Sequence, residues 1–209
     1  MMREALVVVL LSSAIAAPAF AAEADPFTGG SAEAGATKAA ACGACHGPGG
    51  NSVNPEWPKL AGQHANYVLT QLKLLKSGER KNPLMNPQAA GLSDDDMKNL
   101  AAFFASQTPQ PGVASPDAVK VAEKLYRAGD SKRGLPACSA CHGPQGAGNA
   151  AAGYPRIGGQ HAKYAAGSMR RLRGTTGGTD ANATIMATIA GKLSDNEIEA
   201  LASYVNGLQ

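Results

Sequence analysis

The sequence predicts an all-α protein made of two tandem copies of one small helical domain. Three observations carry that prediction. The chain repeats itself: Trp57-Pro58-Lys59-Leu60-Ala61-Gly62-Gln63-His64 returns as Tyr154-Pro155-Arg156-Ile157-Gly158-Gly159-Gln160-His161 at an offset of 97, and Tyr67 returns as Tyr164. Leu92-Ser93-Asp94 returns as Leu193-Ser194-Asp195 at an offset of 101, so the second copy carries a few extra residues. Apolar residues recur at helical spacing in both copies, and no segment alternates in the manner of a strand. Between the copies, Pro109, Pro111 and Pro116 interrupt a stretch without apolar periodicity, which marks a stiff linker.

The elements follow in chain order. Residues 1–21 have the pattern of a secretory leader: Arg3, the apolar run 5–11, and Ala19-Phe20-Ala21 as an A-x-A cleavage site. That apolar run is far shorter than the roughly 20 residues needed to span a bilayer. Removal of the leader leaves 188 residues, exported to the periplasm of a Gram-negative cell. The first domain is expected over 22–107, the linker over 108–116 and the second domain over 117–209. A helix is expected after His64, where Val68, Leu72 and Leu75 share a face, and its equivalent after His161. Ser93 followed by Asp94, Asp95 and Asp96 starts another, with acids at the positive end of the helix dipole. Met97, Leu100, Ala101 and Phe104 form its apolar face. In the second copy Ser194 and Glu197 make a capping box ahead of Ile198, Leu201, Ala202 and Val205. Ser115-Pro116 opens a helix that Gly129 should stop near Ala128.

The chemistry resides in two copies of Cys-x-x-Cys-His: Cys42-Gly43-Ala44-Cys45-His46 and Cys138-Ser139-Ala140-Cys141-His142. Each is the pattern of a c-type haem attachment site. The two sulfurs add to the haem vinyl groups, and the adjoining histidine lies under the iron. A redox dithiol, a local disulfide and a zinc site are the competing readings. A dithiol calls for a βαβ context that neither motif has. Zinc would need further ligands, which His64 and His161 could supply beside His46 and His142. The immediate histidine, present twice, favours haem. All four cysteines are then used, and none is left for a structural disulfide.

A ligand common to both copies should occupy equivalent positions. Met97 aligns with Ile198 and Met169 with Leu72, which makes both core residues. Met85 and Met186 align with each other, seven residues before the shared leucine, in stretches expected to be irregular loops from which a thioether could reach the iron. They are the candidate sixth ligands, with His46 and His142 as the proximal ones. His64 and His161 also repeat and compete as bis-histidine ligands. Met/His ligation gives the higher reduction potential. The repeated Trp57/Tyr154, Lys59/Arg156, Gln63/Gln160 and Tyr67/Tyr164 are candidate propionate contacts, because partly buried carboxylates need donors or positive charge. Simple packing or surface positions are the alternative for all eight.

Composition agrees with a bound prosthetic group. The chain has only 4 Phe, 5 Tyr and 1 Trp among many alanines and 25 glycines, so domains of this size would have thin cores on their own. The formal charge is +3, too small for a nucleic-acid-binding surface. Charge is uneven: residues 22–112 carry a formal −1 and 113–209 a formal +4. Arg170, Arg171 and Arg173 are the densest basic cluster. It is either a solvated helix face or a docking site for an acidic partner.

Taken together, the two Cys-x-x-Cys-His-Gly motifs, the Pro-x-[Leu/Ile]-x-Gly-Gln segments, the spaced methionines and both Leu-Ser-Asp helix starts resemble the dihaem cytochrome c4 family over nearly the whole exported chain. The resemblance implies two class I cytochrome c domains related by a pseudo-twofold axis, with two covalent haem c groups facing the domain interface. It implies a periplasmic or loosely membrane-associated electron carrier, not an enzyme. Its donor would be a quinol-cytochrome c oxidoreductase or similar protein, and its acceptor a terminal oxidase. A dedicated electron-accepting subunit of a dehydrogenase, such as a flavocytochrome sulfide oxidase, is the alternative. A small dihaem peroxidase needs a releasable ligand on one iron, against which the Met85/Met186 symmetry argues.

Overall fold

In the computed structural model, residues 24–175 and 180–209 are described; the leader assigned to 1–21 lies outside them. The described residues form helices joined by turns, with only isolated bridges at Asp130–Leu135 and Asn149–Tyr154. No helix among them is long and apolar enough to cross a membrane.

In the first half, α1 spans Ala32–His46, α2 Ala65–Ser77, α3 Met85–Ala90 and α4 Asp94–Ala105. The Ser31 side chain caps α1. Ser93 and Asp96 form a full capping box on α4, so the acidic first turn expected from sequence also supplies the reciprocal bond. Helix α4 is the centre of this half. Leu100 and Phe104 pack with Ala39 of α1, while Ala101 packs with Ala65 and Val68 of α2. The close approach of α1 to α4 depends on Gly35, where an added Cβ would sit 2.1 Å from the Asn99 carbonyl oxygen.

The second half contains α5 Pro116–Ala128, α6 Ser139–His142, α7 Ala162–Arg173, α8 Ala181–Ala190 and α9 Asp195–Asn206. Ser194 and Glu197 complete the capping box on α9. Ala122, Leu125 and Tyr126 of α5 join Ile198, Leu201, Tyr204 and Val205 of α9 in one core. Met97 is buried in the first half, and Met169 packs against the second core. The halves differ at the Cys-x-x-Cys-His motifs. The first lies in the last turns of the continuous α1, whereas α5 stops at Gly129 and the second motif sits on the separate short α6. Tyr126 ties these pieces together by donating its hydroxyl to the Gly143 carbonyl at 2.7 Å.

The connector is fastened to both halves. Asn51 donates to the Thr108 carbonyl and accepts from the Gln110 N–H, both at 2.9 Å. Gly112 N–H donates to the Asn206 carbonyl at 2.9 Å, and Ser115 N–H to Ser203 Oγ at 3.0 Å. The proline-rich strap is thus held in place along its length, and α5 begins on its last proline.

The glycines allow a paired test of packing. Gly35→Ala should destabilise the protein by about 1–3 kcal/mol, because the Cβ has nowhere to go. Gly167→Ala, in α7 with nothing within 4 Å of the added Cβ, should stabilise it by about 0.5–1 kcal/mol through helix propensity. Urea unfolding of the two variants measures both signs.

Candidate functional site

Both Cys-x-x-Cys-His histidines are buried, His46 at 7% and His142 at 6% exposure. His46 Nδ1 lies 2.9 Å from the Pro58 carbonyl oxygen, and His142 Nδ1 lies 2.9 Å from that of Pro155. A carbonyl can only accept, so Nδ1 carries the proton and donates. Each Nε2 is therefore the unprotonated, ligand-competent nitrogen. Desolvation lowers the pKa of both rings below the ordinary histidine value, outweighing the carbonyl contact that raises it. Neutral imidazole is the form that binds a metal. The two prolines supply these oxygens from equivalent places in the repeat, a role the sequence reading had not given them.

No disulfide joins Cys42 to Cys45 or Cys138 to Cys141. Among the described residues, no three His, Cys, Asp or Glu side chains converge as a metal cage. His161, which a zinc or bis-histidine centre would recruit, is instead committed across the interface: its Nε2 donates to the Ser52 carbonyl at 2.7 Å. His64 occupies the equivalent position, its ring near the Ala147 carbonyl but with Nε2 buried and unpaired.

Met85 and Met186 are both half-buried and outside the core clusters. Neither lies in a loop, which corrects the sequence expectation. Met85 is the first residue of α3, and Met186 is inside α8. Asn82 and Asn86 explain the first helix. Asn82 Oδ1 accepts from the Met85 N–H at 3.0 Å, and the Asn86 amide donates to the Leu75 and Arg80 carbonyls. The missed α8 begins at Asp180, whose side chain caps it through the Ala183 N–H.

The candidate propionate residues divide. Gln63 and Gln160 are engaged in bonds between the halves. Gln160 Oε1 accepts from the Lys59 N–H, and its Nε2 donates to the Lys59 carbonyl, both at 2.9 Å. Gln63 does the same to Arg156, at 2.9 Å and 2.8 Å. Each amide therefore brackets one residue of the opposite half. The polar groups of both glutamines thus have partners in the opposite half. The Lys59 ammonium donates to the Gln110 carbonyl. Arg156 keeps Nε buried and without a partner.

Tyr67 and Tyr164 meet between the halves beside Arg80 and Arg171. Desolvation, helped by Tyr164, pushes the Tyr67 phenol up to about 12. Tyr164 is itself desolvated, but Arg80 and Arg171 pull its phenol below the ordinary value. Arg80 donates to the Tyr164 hydroxyl at 3.2 Å. Trp57 and Tyr154 are half-buried. The paired cations were invisible to the repeat, because Arg80 and Arg171 do not occupy equivalent positions in it.

The proposed basic docking cluster is dispersed. Arg170 pairs with Glu199 and Asp195, and Arg173 with Asp195. Arg171 turns to the tyrosine pair, where partial desolvation and the Arg80 charge lower its pKa. These residues form neither a free basic patch nor a simple solvated face.

The buried, neutral His46 and His142, the unpaired Arg156 Nε and the slender cores fit a large apolar anionic group in each half. Known proteins point the same way. The sequence profile of cytochrome c matches residues 32–108 and again 122–209. Cytochrome c4 of Azotobacter vinelandii is 44% identical, over 99% of this chain and the whole of that protein. The crystal structure of reduced recombinant cytochrome c4 from Pseudomonas stutzeri is 46% identical with a TM-score of 0.83, covering 86% of this chain and 100% of that one. The chain belongs to the cytochrome c4 family. A thiosulfate dehydrogenase electron acceptor of Stutzerimonas stutzeri is also similar, at 38% identity over 82% of this chain and 81% of that protein. As a family member the chain is a dihaem electron carrier and not an enzyme, and its cofactors are two covalent haem c groups.

The histidines between the halves give a pH dependence. Desolvation lowers the pKa of His161 and of His64, so the folded protein favours their neutral forms. Their contribution is complete above the unfolded value of about 6.5 and is lost as pH falls from there towards the lowered folded values. Urea midpoints measured from pH 8 to pH 5 should fall below pH 6.5, and His161→Asn should make that fall shallower.

Proposed function

We propose that this chain is a periplasmic carrier of single electrons between respiratory-chain partners, from a quinol-cytochrome c oxidoreductase or similar donor towards a terminal oxidase. It is organised as domains 22–107 and 117–209 on either side of a linker, 108–116. Haem c is attached through Cys42 and Cys45 in the first and through Cys138 and Cys141 in the second. His46 and Met85 would hold the iron in the first domain, and His142 and Met186 in the second. The observation that carries this reading is the pair of bonds from His46 and His142 to proline carbonyls, which leaves each Nε2 free to ligate.

The bound haem supplies reversible Fe(III)/Fe(II) cycling. The protein's part is to hold the ligands still and to keep water away. The proline carbonyls fix each imidazole in one tautomer and orientation. Soft thioethers from Met85 and Met186 would complete the ligand set and favour a high potential. The Arg156 guanidinium, whose Nε has no protein partner, and the Lys59 ammonium would offset propionate charge, and the Tyr67 and Tyr164 hydroxyls would donate to it. Export by the 1–21 leader and the lack of a membrane-crossing helix among the described residues support a periplasmic position, with at most peripheral membrane contact.

A second reading comes from the electron-acceptor relative. The chain would then receive electrons from a dedicated dehydrogenase acting on a reduced sulfur compound. A complex that survives native purification would favour it over the mobile carrier.

Alkaline pyridine spectra of the purified protein should give two c-type haems per chain, and the far-red sulfur-to-iron band should have full strength for two Met/His sites. Met85→Ala should halve that band and leave the haem count at two. A full band in that variant would remove Met85 as a ligand. Arg156→Met should lower a haem midpoint potential, and unchanged potentials would end its role against propionate charge.

A further inference from the structure

The carbonyl that holds each proximal histidine belongs to the same peptide group that the opposite half grips. His46 Nδ1 donates to the oxygen of the Pro58–Lys59 peptide, and the N–H of that peptide donates to Gln160 Oε1. The second half mirrors the arrangement. His142 Nδ1 donates to the oxygen of the Pro155–Arg156 peptide, whose N–H donates to Gln63 Oε1. Every link in both chains is 2.9 Å long.

We propose that Gln160 and Gln63 are crossed positioning residues: each tunes the proximal histidine of the domain to which it does not belong. This rests on His46 and His142 being the iron ligands.

The physical basis is the polarisability of the peptide group. An N–H that donates shifts electron density towards its own carbonyl oxygen, making that oxygen a better acceptor. The bond from Nδ1 then strengthens and the imidazole becomes the more donating ligand, as with other hydrogen-bond partners behind metal-bound histidines. The glutamine is well suited to this. Its Nε2 donates to the carbonyl of the same bracketed residue, which polarises the amide and strengthens Oε1 as an acceptor. The bracket also fixes where the peptide lies. A more donating histidine stabilises Fe(III), so losing the relay should raise the potential of the haem at its far end.

The crossed wiring separates this role from simple adhesion. If the glutamines only held the halves together, removing either would disturb both sites alike. With the relay, Gln160→Ala should raise the midpoint of the haem on Cys42 and Cys45 more than that of the haem on Cys138 and Cys141. Gln63→Ala should do the reverse.

The experiment is a redox titration of the intact dihaem protein, followed by NMR so that each haem is resolved. Wild type, Gln160→Ala and Gln63→Ala are compared. Two further readouts are taken on the same samples: hydrogen exchange at the Lys59 and Arg156 amides, and the His46 and His142 Nδ1–H resonances of the reduced, diamagnetic protein. The expected result is faster exchange at Lys59, a shifted His46 Nδ1–H and a raised first-domain midpoint in Gln160→Ala, with the converse set in Gln63→Ala. Equal shifts at both haems, or a larger shift in the glutamine's own domain, would overturn the relay. So would faster exchange with neither midpoint nor Nδ1–H moved. Gln160→Glu covers the case in which the alanine variant does not fold. Its anionic acceptor should shift the His46 Nδ1–H opposite to the loss of the acceptor, and an unmoved resonance counts against the proposal. Haem stoichiometry on the same preparations keeps the outcomes distinct: a sample without two haems fails the reading of the ligands, not the relay alone.

Discussion

Two peptide groups, Pro58–Lys59 and Pro155–Arg156, are where the demands on this molecule meet. Each has one oxygen and one hydrogen to offer. The oxygen goes to a buried histidine and the hydrogen to a glutamine of the other half. Proline contributes by fixing its own φ and restricting the residue before it. The following residue keeps its N–H because it is not proline. Lys59 and Arg156 are thus held at the backbone, with no side-chain atom of either spent on the bracket. A shift of either peptide would misplace an imidazole and break a contact between the halves together.

The thinness of the protein cores gives these contacts their importance. In the first half, the buried apolar residues separate into one small cluster on α1 and another on α2, joined through α4. Large side chains are scarce, and close packing is achieved by glycine and alanine, as where α1 meets α4 at Gly35. Such a framework has little apolar area to spare, so a covalent haem adds burial that the chain cannot supply alone. The contact between the halves is rich in directed polar bonds. Its bonds include those of the bracketing amides, His161 to Ser52, Arg80 to Tyr164, Asn66 to the Ala150 carbonyl, and the ion pair of Lys163 with Glu56. Polar contacts of this kind specify one arrangement by direction more than by area.

Much of this was legible in the sequence, for identifiable reasons. The helix starts at Ser93 and Ser194 have local causes, and α5 runs over the span that Ser115-Pro116 and Gly129 indicated. Helices α1, α3, α6 and α8 are absent from the sequence expectations. The alanine-rich α1 has no clear apolar stripe, and α3 is held by Asn86 reaching back to Leu75 and Arg80. The repeat found Gln63 and Gln160 but not their task. Duplication marks a residue as shared, and the partner across the interface appears only when the halves are brought together. Arg80 illustrates the opposite failure: it faces the tyrosines from a position with no counterpart in the other copy, so a search by symmetry could not find it.

The departures from symmetry have a consequence of their own. Two identical domains facing each other would hold their haems in identical settings, and electrons would have no preferred side. Here α1 carries the first motif on an unbroken helix, whereas the second sits on α6, tied to α5 by the Tyr126 hydroxyl. His161 has the Ser52 carbonyl as its partner, while the matching His64 faces that of Ala147. Arg80 and Arg171, one from each half, act on the tyrosine pair from positions that the repeat does not make equivalent. The shared features, His46 with His142 and Gln63 with Gln160, build equivalent ligand frames. The unshared ones act on the field around those frames, where a difference between the sites costs no change in ligation.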